Sequence, residues 1–214
     1  MCGRYNLTAP PEAVREMFGY DEQPNFPPRE NISPTEPIAV VRARVGKPEF
    51  ALMRWGLIPS WAKNPADLPR MFNARAESAA EKPSFRSAMK RRRCLIPATG
   101  FYEWQKTGPR TKLPHHIRRP DGGVFALAGL WECWSDPQGG EIDTATILTT
   151  AANETLAPLH DRMPVIIPPE AFARWFNTAD CGPAEVRDLL VPAPAGYLEA
   201  HAMPRGGSGK APLP

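Results

Sequence analysis

Apolar residues occur in short runs separated by turn-forming residues, a pattern that favours β-strands over long helices. Two pairs of runs predict β-hairpins, because each pair flanks a turn sequence. The pairs are residues 38–44 with 49–55 around Val45-Gly46-Lys47-Pro48, and residues 115–118 with 124–131 around Pro120-Asp121-Gly122-Gly123. Further strands are predicted at residues 94–97, 100–104 and 145–150.

Helical segments are predicted to be few and short. Thr8, followed by two prolines and an amphipathic stretch, predicts a capped helix that ends at Gly19. A basic helix and two peripheral helices are predicted at residues 84–92, 169–176 and 184–190. Residues 23–37 and 56–76 are rich in proline and predict long, shaped loops of the kind that often carry function.

Proline is the compositional outlier, with 27 of 214 residues spread along the whole chain. Each proline removes a backbone donor and fixes φ, which suits short strands and turns better than a helical bundle. With 42% apolar residues, the length suits one compact domain. We therefore expect a β-rich α+β fold with short peripheral helices over residues 2–204, and a flexible tail at residues 205–214.

The sequence shows no feature of a secreted or membrane protein. No apolar run approaches the ~20 residues that span a bilayer, and no apolar stretch follows the N-terminus. The four cysteines form no Cys-x-x-Cys pair, so neither a disulfide framework nor a cysteine-rich zinc site is indicated. We expect a cytoplasmic monomer with reduced thiols, no metal and no cofactor.

Charge is unevenly distributed, although the formal net charge is only +3. Residues 51–120 carry 15 Lys and Arg against 4 Asp and Glu, whereas residues 121–214 carry 5 against 12. A basic surface of that size attracts a polyanion, because neutralising phosphates releases condensed counterions. Nucleic acid is therefore the favoured partner, and the alternative is that the charges pair within the fold. The run Lys90-Arg91-Arg92-Arg93 is assigned only a diffuse attraction.

Cys2 directly follows the initiator methionine and becomes N-terminal once Met1 is removed. Its α-amine and thiol then lie on adjacent carbons, and an aldehyde can react with both to give a five-membered thiazolidine. An internal cysteine cannot react in this way, since its nitrogen is part of an amide. A cationic neighbour such as Arg4 is expected to lower the pKa of the thiol. By position alone, however, Cys2 would be an ordinary residue.

Several segments, in order along the chain, together form a specific pattern. They are Met1-Cys2-Gly3-Arg4-Tyr5, Arg54-Trp55-Gly56-Leu57-Ile58-Pro59-Ser60-Trp61, Phe72-Asn73-Ala74-Arg75-Ala76-Glu77, Arg93-Cys94-Leu95-Ile96-Pro97-Ala98-Thr99-Gly100-Phe101-Tyr102-Glu103-Trp104, the weaker Gly129-Leu130-Trp131-Glu132, and Pro158-Leu159-His160-Asp161-Arg162-Met163-Pro164. This pattern resembles the SOS response-associated peptidase (SRAP) family. The ordered set extends from residue 2 to about residue 176 and is far more specific than any one motif.

The resemblance implies a β-rich, barrel-like core of mixed and antiparallel strands that binds single-stranded DNA. It further implies that Cys2, after removal of Met1, is crosslinked to an abasic site. Ring-opened deoxyribose at such a site carries the aldehyde that aminothiol chemistry needs. The implied function is therefore to sense abasic sites during the DNA damage response and to protect the strand from cleavage by a thiazolidine crosslink.

Four residues are implied to carry the chemistry. Cys2 supplies the amine and the thiol, and Glu103, on a predicted strand, moves protons during sugar opening, imine formation and Met1 removal. His160 assists Schiff-base chemistry and its reversal. Asn73 hydrogen-bonds the sugar and orients the N-terminus. Without the motifs, Glu103 would be interpreted as a surface carboxylate and His160 as a structural histidine.

Five residues are implied to contact DNA. Arg4, Arg75 and Arg162 would bind phosphates next to the abasic site, with structural ion pairs as the alternative for each. Trp61 and Pro34, in the proline-rich loops, would stack on bases or wedge against the end of a duplex.

Two regions depart from the family pattern. A histidine pair, His115-His116, stands where the family commonly has an aromatic residue. Leu198-Glu199-Ala200-His201-Ala202 lacks the usual Val-Asn pair. Neither departure changes a residue implied in the chemistry, and both concern the shape of one edge of the site.

Two other functions compete with abasic-site capture. An N-terminal-nucleophile cysteine peptidase or amidohydrolase would use the Cys2 thiol on a carbonyl, with its own amine as base, but hydrolysis in trans gives no reason for the basic segment. A non-catalytic nucleic-acid-binding module would leave Cys2 incidental and would form no covalent product. The fate of Cys2 distinguishes the three functions.

Overall fold

The computed structural model describes residues 2–136 and 138–203. The strands in this range are β1 (Tyr5–Leu7), β2 (Arg29–Ile32), β3 (Pro37–Arg44), β4 (Lys47–Trp55), β5 (Asn73–Arg75), β6 (Arg93–Ala98), β7 (Gly100–Lys106), β8 (Lys112–Arg118), β9 (Phe125–Ser135), β10 (Glu141–Ala151), β11 (Arg162–Pro164), β12 (Ile166–Ile167) and β13 (Glu199–Ala202). The α-helices are α1 (Pro11–Phe18), α2 (Ala76–Ala79), α3 (Arg86–Arg91) and α4 (Phe172–Phe176), with 3-10 turns at Pro65–Asp67, Pro169–Ala171 and Arg187–Leu189.

Five of the strands close into a barrel in the order β3, β4, β10, β9 and β6, with β6 pairing back onto β3. All these pairs are antiparallel except β4 with β10, which is parallel. β12 adds to β9, and both β5 and β11 add to β10. The predicted β-rich, barrel-like α+β fold is confirmed.

A second sheet has the strand order β13-β8-β7-β1-β2 and is antiparallel throughout. Its inner face is apolar, since Tyr5 lies opposite Phe101, Phe101 lies opposite Ile117, and all three are fully buried. These side chains belong to the same hydrophobic cluster as the barrel residues. The two sheets therefore share one core, and the N-terminal ends of β1 and β5 meet at their junction.

The first predicted hairpin is confirmed as β3 and β4. Val45 and Gly46 connect the strands with φ values of 50° and 77°, the left-handed geometry that a two-residue hairpin turn needs. The second predicted hairpin is wrong, because β8 pairs with β7 and β13 whereas β9 pairs with β6, β10 and β12. The turn at residues 120–123 carries the chain from one sheet to the other. A turn sequence specifies a local reversal, but the burial of each apolar face decides the pairing.

The predicted strands at residues 94–97, 100–104 and 145–150 are confirmed within β6, β7 and β10. The long loop predicted at residues 56–76 is shorter than expected, because its last residues form β5 and begin α2.

The predicted helices differ from the structure mainly at their ends. The first helix ends at Gly19 with φ 70°, as predicted, but its N-cap is Pro10. Thr8 does not cap it, since the Thr8 hydroxyl lies 3.0 Å from Thr99 Oγ1. The basic helix is confirmed as α3, and residues 169–176 form a 3-10 turn followed by α4. The helix predicted at residues 184–190 is wrong beyond a single 3-10 turn, because Gly182-Pro183 and the short apolar stretch favour turns.

The basic run at the end of α3 is not uniformly solvated. Lys90 and Arg91 are exposed, and Arg92 forms an ion pair with Glu132 at 2.6 Å. Arg93 is only 2% exposed, and its guanidinium stacks over the ring of Trp175. A role limited to diffuse attraction is therefore wrong for Arg93, which is part of the core.

Within the described ranges, no helix is both long enough and apolar enough to cross a membrane. The same residues contain no group of three or more His, Cys, Asp or Glu side chains placed to hold a metal ion. The tail predicted at residues 205–214 lies outside the described residues.

Candidate active site

Cys2 lies where the two sheets meet. The ladder between β1 and β7 extends toward the N-terminus, since the Tyr102 backbone N–H donates to the Arg4 carbonyl oxygen at 2.9 Å. The Cys2 side chain is fully buried, and its thiol donates a long hydrogen bond of 3.8 Å to the same carbonyl. Asn73 Nδ2, from β5, donates to the Cys2 carbonyl oxygen at 2.9 Å. This last bond joins the barrel to the second sheet at the predicted nucleophile.

Asn73 is positioned by the pairing of β5 with β10 and by hydrogen bonds to the carbonyl group of the residue before it. It lies opposite Ile147 in the parallel pair of β5 and β10. The carbonyl oxygen of Phe72 accepts from the Ile147 backbone at 3.1 Å and from the Trp55 indole at 2.8 Å. Asn73 Oδ1 is buried and has no hydrogen-bond partner among the described residues. A buried amide oxygen without a donor is uncommon, and it offers an acceptor to a bound hydroxyl group.

Three aromatic rings pack against one another next to Cys2 and Asn73. The Tyr5 ring packs edge-on against Trp55 with centroids 5.3 Å apart, and Trp55 packs edge-on against Phe72 at 6.2 Å. Burial raises the pKa of Tyr5, so its phenol is neutral, and its hydroxyl has no partner among the described residues. Tyr5 was not among the predicted site residues, and the sequence pointed to it only by its place in the first motif.

The electrostatics of the Cys2 thiol differ from the prediction. Burial, and next the negative charge of Glu103, raise the pKa of Cys2. The lowering expected from Arg4 is therefore wrong, because the Arg4 guanidinium donates to Asn31 Oδ1 at 3.1 Å in an exposed position. Glu103 itself is 5% exposed, which excludes the surface carboxylate that its position alone suggested. The sulfur is protonated at neutral pH and needs a base before it can react.

His160 ends the loop between β10 and β11. Its Nδ1 accepts from the Arg162 backbone N–H at 2.9 Å and also lies 2.8 Å from Asp161 Oδ1. The first contact requires Nδ1 without a hydrogen and the second requires Nδ1–H, so one tautomer of the ring cannot make both contacts. Gln105 donates to a carbonyl oxygen of the same loop at 3.4 Å. The loop carrying His160 thus contacts β7 two residues from Glu103.

Two predicted phosphate-binding arginines flank the end of β10. Arg75 lies opposite Thr149 in the pair of β5 with β10, and its side chain is exposed. Arg162, on β11, makes two hydrogen bonds of 2.7 Å to the Glu77 carboxylate and one of 2.6 Å to the Thr149 carbonyl oxygen. The structure gives Arg162 the alternative ion-pair role, whereas Arg75 stays accessible.

Pro34 and Trp61 lie in the proline-rich loops beside this junction. Pro34 is half-buried and lines, with Trp55 and Phe72, a cavity of about 70 Å³. Trp61 follows Ile58, which lines the same cavity, and its indole is 55% exposed. An indole left this exposed is available to a stacking partner.

The sequence profile of the family described as SOS response associated peptidase (SRAP) matches residues 1–205. The chain belongs to the SRAP family. It is 39% identical to the abasic site processing protein YoqW of Bacillus subtilis over 204 residues, which cover 94% of this chain and 91% of that protein. It is 31% identical to the abasic site processing protein HMCES of Xenopus tropicalis over 237 residues, which cover 90% of this chain and 70% of that protein.

Solved structures share this SRAP fold. A crystal structure of a protein from Bacteroides thetaiotaomicron superimposes with a TM-score of 0.87 at 26% identity, over 95% of this chain and 93% of the other. One from Bordetella bronchiseptica gives 0.82 at 30% identity, over 95% of this chain and all of the other. The fold assignment therefore rests on structural as well as sequence similarity.

His115 and His116 depart from the SRAP pattern. Their rings lie on opposite faces of β8. His115 is buried opposite Glu103, and its Nδ1 lies 3.1 Å from the Leu113 carbonyl oxygen. His116 stacks on Tyr102 with ring centroids 4.9 Å apart, and burial lowers the pKa of His116. The ring at position 116 is therefore neutral and packs as an aromatic side chain.

Acid is expected to weaken the pair of Glu77 with Arg162. The hydrogen bond from Arg162 lowers the pKa of Glu77, so the pair stabilises the fold above the unfolded value of ~4.3. That stabilisation is lost as pH falls through the lower folded value. Because Glu77 is about half exposed, we expect a contribution under ~1 kcal/mol. Chemical unfolding of wild type and Glu77→Gln should give a difference at pH 7 that shrinks toward pH 3, and a pH-independent difference would contradict this assignment.

Proposed function

We propose that this SRAP protein binds single-stranded DNA and captures abasic sites covalently through Cys2 once Met1 has been removed. The observation that carries the proposal is the hydrogen bond from Asn73 to the Cys2 carbonyl, beside the buried carboxylate of Glu103. This hydrogen bond holds the backbone of Cys2, the residue that would bear both the amine and the thiol. The abasic site processing relatives support the choice of substrate.

The proposed reaction balances without a cofactor. Hydrolysis of the Met1–Cys2 peptide bond consumes one water and frees the Cys2 amine. The amine nitrogen adds to the aldehyde carbon of ring-opened deoxyribose, and loss of one water leaves an imine. The Cys2 sulfur then adds to the same carbon as its proton leaves, and the imine nitrogen gains a proton. The product is a thiazolidine, with net release of one water from the aldehyde and the aminothiol.

The raised pKa of Cys2 in the chain that still carries Met1 supports an order for these steps. A protonated thiol is a poor nucleophile, so the amine attacks first and the sulfur closes the ring only when a base accepts its proton. Glu103 is assigned that role, because its negative charge is near enough to raise the pKa of the thiol. Asn73 Oδ1 is assigned to a sugar hydroxyl, and His160 to proton transfer on the imine and to reversal.

Noncovalent DNA binding is assigned to the residues around this junction. Arg4 and Arg75 are assigned to phosphates, and Trp61 and Pro34 to bases, and the exposure of Arg75 and Trp61 supports this assignment. Arg162 reaches a phosphate only by exchanging the Glu77 carboxylate for it.

The basic segment gives no advantage to the competing function of a peptidase that acts on other proteins, whereas the burial of Cys2 restricts a peptide carbonyl and a sugar aldehyde alike. Met1 removal by this site is instead proposed as a single self-processing event.

The aldehyde requirement tests the proposed function. Wild-type protein with Met1 removed, as verified by mass spectrometry, is incubated with single-stranded oligonucleotides that carry an abasic site, an intact base or a tetrahydrofuran analogue without an aldehyde. We expect a denaturant-stable product on a denaturing gel with the abasic strand only. Product with the tetrahydrofuran strand, or no product with any strand, would overturn the proposal.

A further inference from the structure

A second cationic surface lies at the tip of the hairpin formed by β7 and β8. We define this hairpin-tip surface by Lys106, Arg110 and Lys112, which are all exposed. Residues 104–119 contain no Asp or Glu that could neutralise it from the same hairpin. This surface is part of the basic segment, but none of its residues was among the predicted site residues.

The two lysines face each other. Lys106 lies directly opposite Lys112 in the strand ladder, an arrangement of like charges that destabilises a strand pair. The loop beyond them is nevertheless well defined, since the Thr107 N–H donates to the Thr111 carbonyl oxygen at 3.0 Å and their hydroxyls lie 3.1 Å apart. Gly108 permits this closure, because a Cβ there would lie 2.7 Å from Thr111 Oγ1. The tip thus holds three exposed cations close together, which favours an anionic ligand.

The cations border a recess of about 400 Å³ whose remaining walls include Trp104, Pro109 and Pro114. Its size lies in the range of small-ligand pockets, roughly 300–1,000 Å³. A cationic rim beside a flat aromatic wall suits single-stranded nucleic acid, which offers phosphates and base faces together. An acidic peptide would use the cations alone, so the recess favours nucleic acid.

The hairpin connects this surface to the proposed active site. Side chains alternate along β7, so Trp104 and Lys106 lie on the face opposite to Glu103. Glu103 and Lys106 are three residues apart, which is about 10 Å at ~3.3 Å per residue. Phosphates of a stacked strand recur every ~3.4 Å along its axis, so about three nucleotides cover that distance along β7. Crossing to the opposite face takes more, so a strand of five nucleotides bound at the active site does not reach the tip.

We propose that the hairpin-tip surface is a second contact for single-stranded DNA, which binds the backbone that flanks the captured abasic site. The identity of the ligand rests on the proposed function. The surface itself would add affinity and salt dependence without taking part in the covalent chemistry.

The test compares two triple variants with wild type. Lys106→Met/Arg110→Met/Lys112→Met removes the charges but keeps apolar stems, and Lys82→Met/Arg86→Met/Lys90→Met removes three exposed charges on and before α3 as the matched control. Binding to intact-base strands of 5 and 20 nucleotides is measured by fluorescence anisotropy across a salt series. Crosslinking to a 20-nucleotide strand with a central abasic site is measured on denaturing gels.

We expect the hairpin variant to bind the long strand at least ten-fold more weakly, with the slope of log K against log salt reduced by about 2 for three phosphates at ~0.7 each. Its affinity for the short strand should match wild type, which also shows that the variant is folded. Unchanged long-strand affinity and slope, or an equal loss in the control variant, would overturn the inference. Equal competition by polyglutamate would overturn the nucleic-acid assignment. Failure of wild type to crosslink would instead overturn the proposed function, whatever the hairpin variant does.

Discussion

Replacing Cys2 by alanine is expected to abolish the denaturant-stable product with abasic DNA and to leave noncovalent DNA affinity unchanged. Only a residue that bears both a free α-amine and a thiol can close the thiazolidine, and noncovalent binding is assigned to other residues, such as the exposed Arg75 and Trp61. The measurement is product formed against time on a denaturing gel, without reductant. With Cys2→Ala from which Met1 has been removed, as verified by mass spectrometry, borohydride should restore a stable product, because the α-amine at position 2 still forms an imine that reduction makes permanent.

Two further variants test whether the product requires an N-terminal aminothiol or only a thiol. Cys133 is partly exposed, whereas Cys2 is buried, so Cys133→Ala serves as the matched control and should crosslink like wild type. Insertion of one glycine between Met1 and Cys2 keeps the thiol but places its nitrogen in an amide, and it should eliminate the product. Persistence of the product in Cys2→Ala without reductant would show that another nucleophile reacts, and the proposed mechanism would be wrong.

Arg93→Met is expected to lower the free energy of unfolding by about 3 kcal/mol or more, since each orphaned buried polar group costs roughly 1–3 kcal/mol. Arg93 Nε donates to the Trp175 carbonyl oxygen at 2.7 Å, and its two terminal nitrogens donate to three further backbone carbonyl oxygens. The distances are 3.2 Å to Met89, 3.1 Å to Asn177 and 2.7 Å to Cys181. The side chain thereby ties α4 and the segment after it to the barrel strand β6.

Guanidinium unfolding followed by tryptophan fluorescence measures this effect. Arg93→Lys should lie between wild type and Arg93→Met, because one ammonium with three donors cannot reproduce the planar fork. Arg91→Met, at an exposed position two residues away, should stay within about 0.5 kcal/mol of wild type. A similarly small change in Arg93→Met would refute the role of these hydrogen bonds.

Features set by neighbouring residues could be predicted from the sequence. Turn chemistry at Val45-Gly46 predicted the hairpin of β3 and β4, and Gly19 predicted the end of α1, since both depend on local backbone conformation. Proline content and short apolar runs predicted a β-rich fold. The ordered motifs predicted the family, because their residue types and order do not depend on how the chain is packed.

Features that depend on distant residues could not be predicted in this way. The turn before Val124 predicted a hairpin, but β8 and β9 belong to different sheets because each buries its apolar face against other strands. The sequence predicted Arg93 to be one of four solvated cations, but in the structure it is buried and donates to a backbone carbonyl oxygen of α4.

The same division holds for the candidate site. The sequence alone determined which residue would bear an amine beside a thiol. Only the tertiary structure decided that Cys2 is buried near Glu103 and that Asn73 donates a hydrogen bond to the Cys2 carbonyl oxygen. It also decided that Arg162 forms an ion pair with Glu77. The physical reason is that pKa values and ion pairs depend on desolvation and on charges brought together across the fold, whereas residue patterns report only the chain's local preferences.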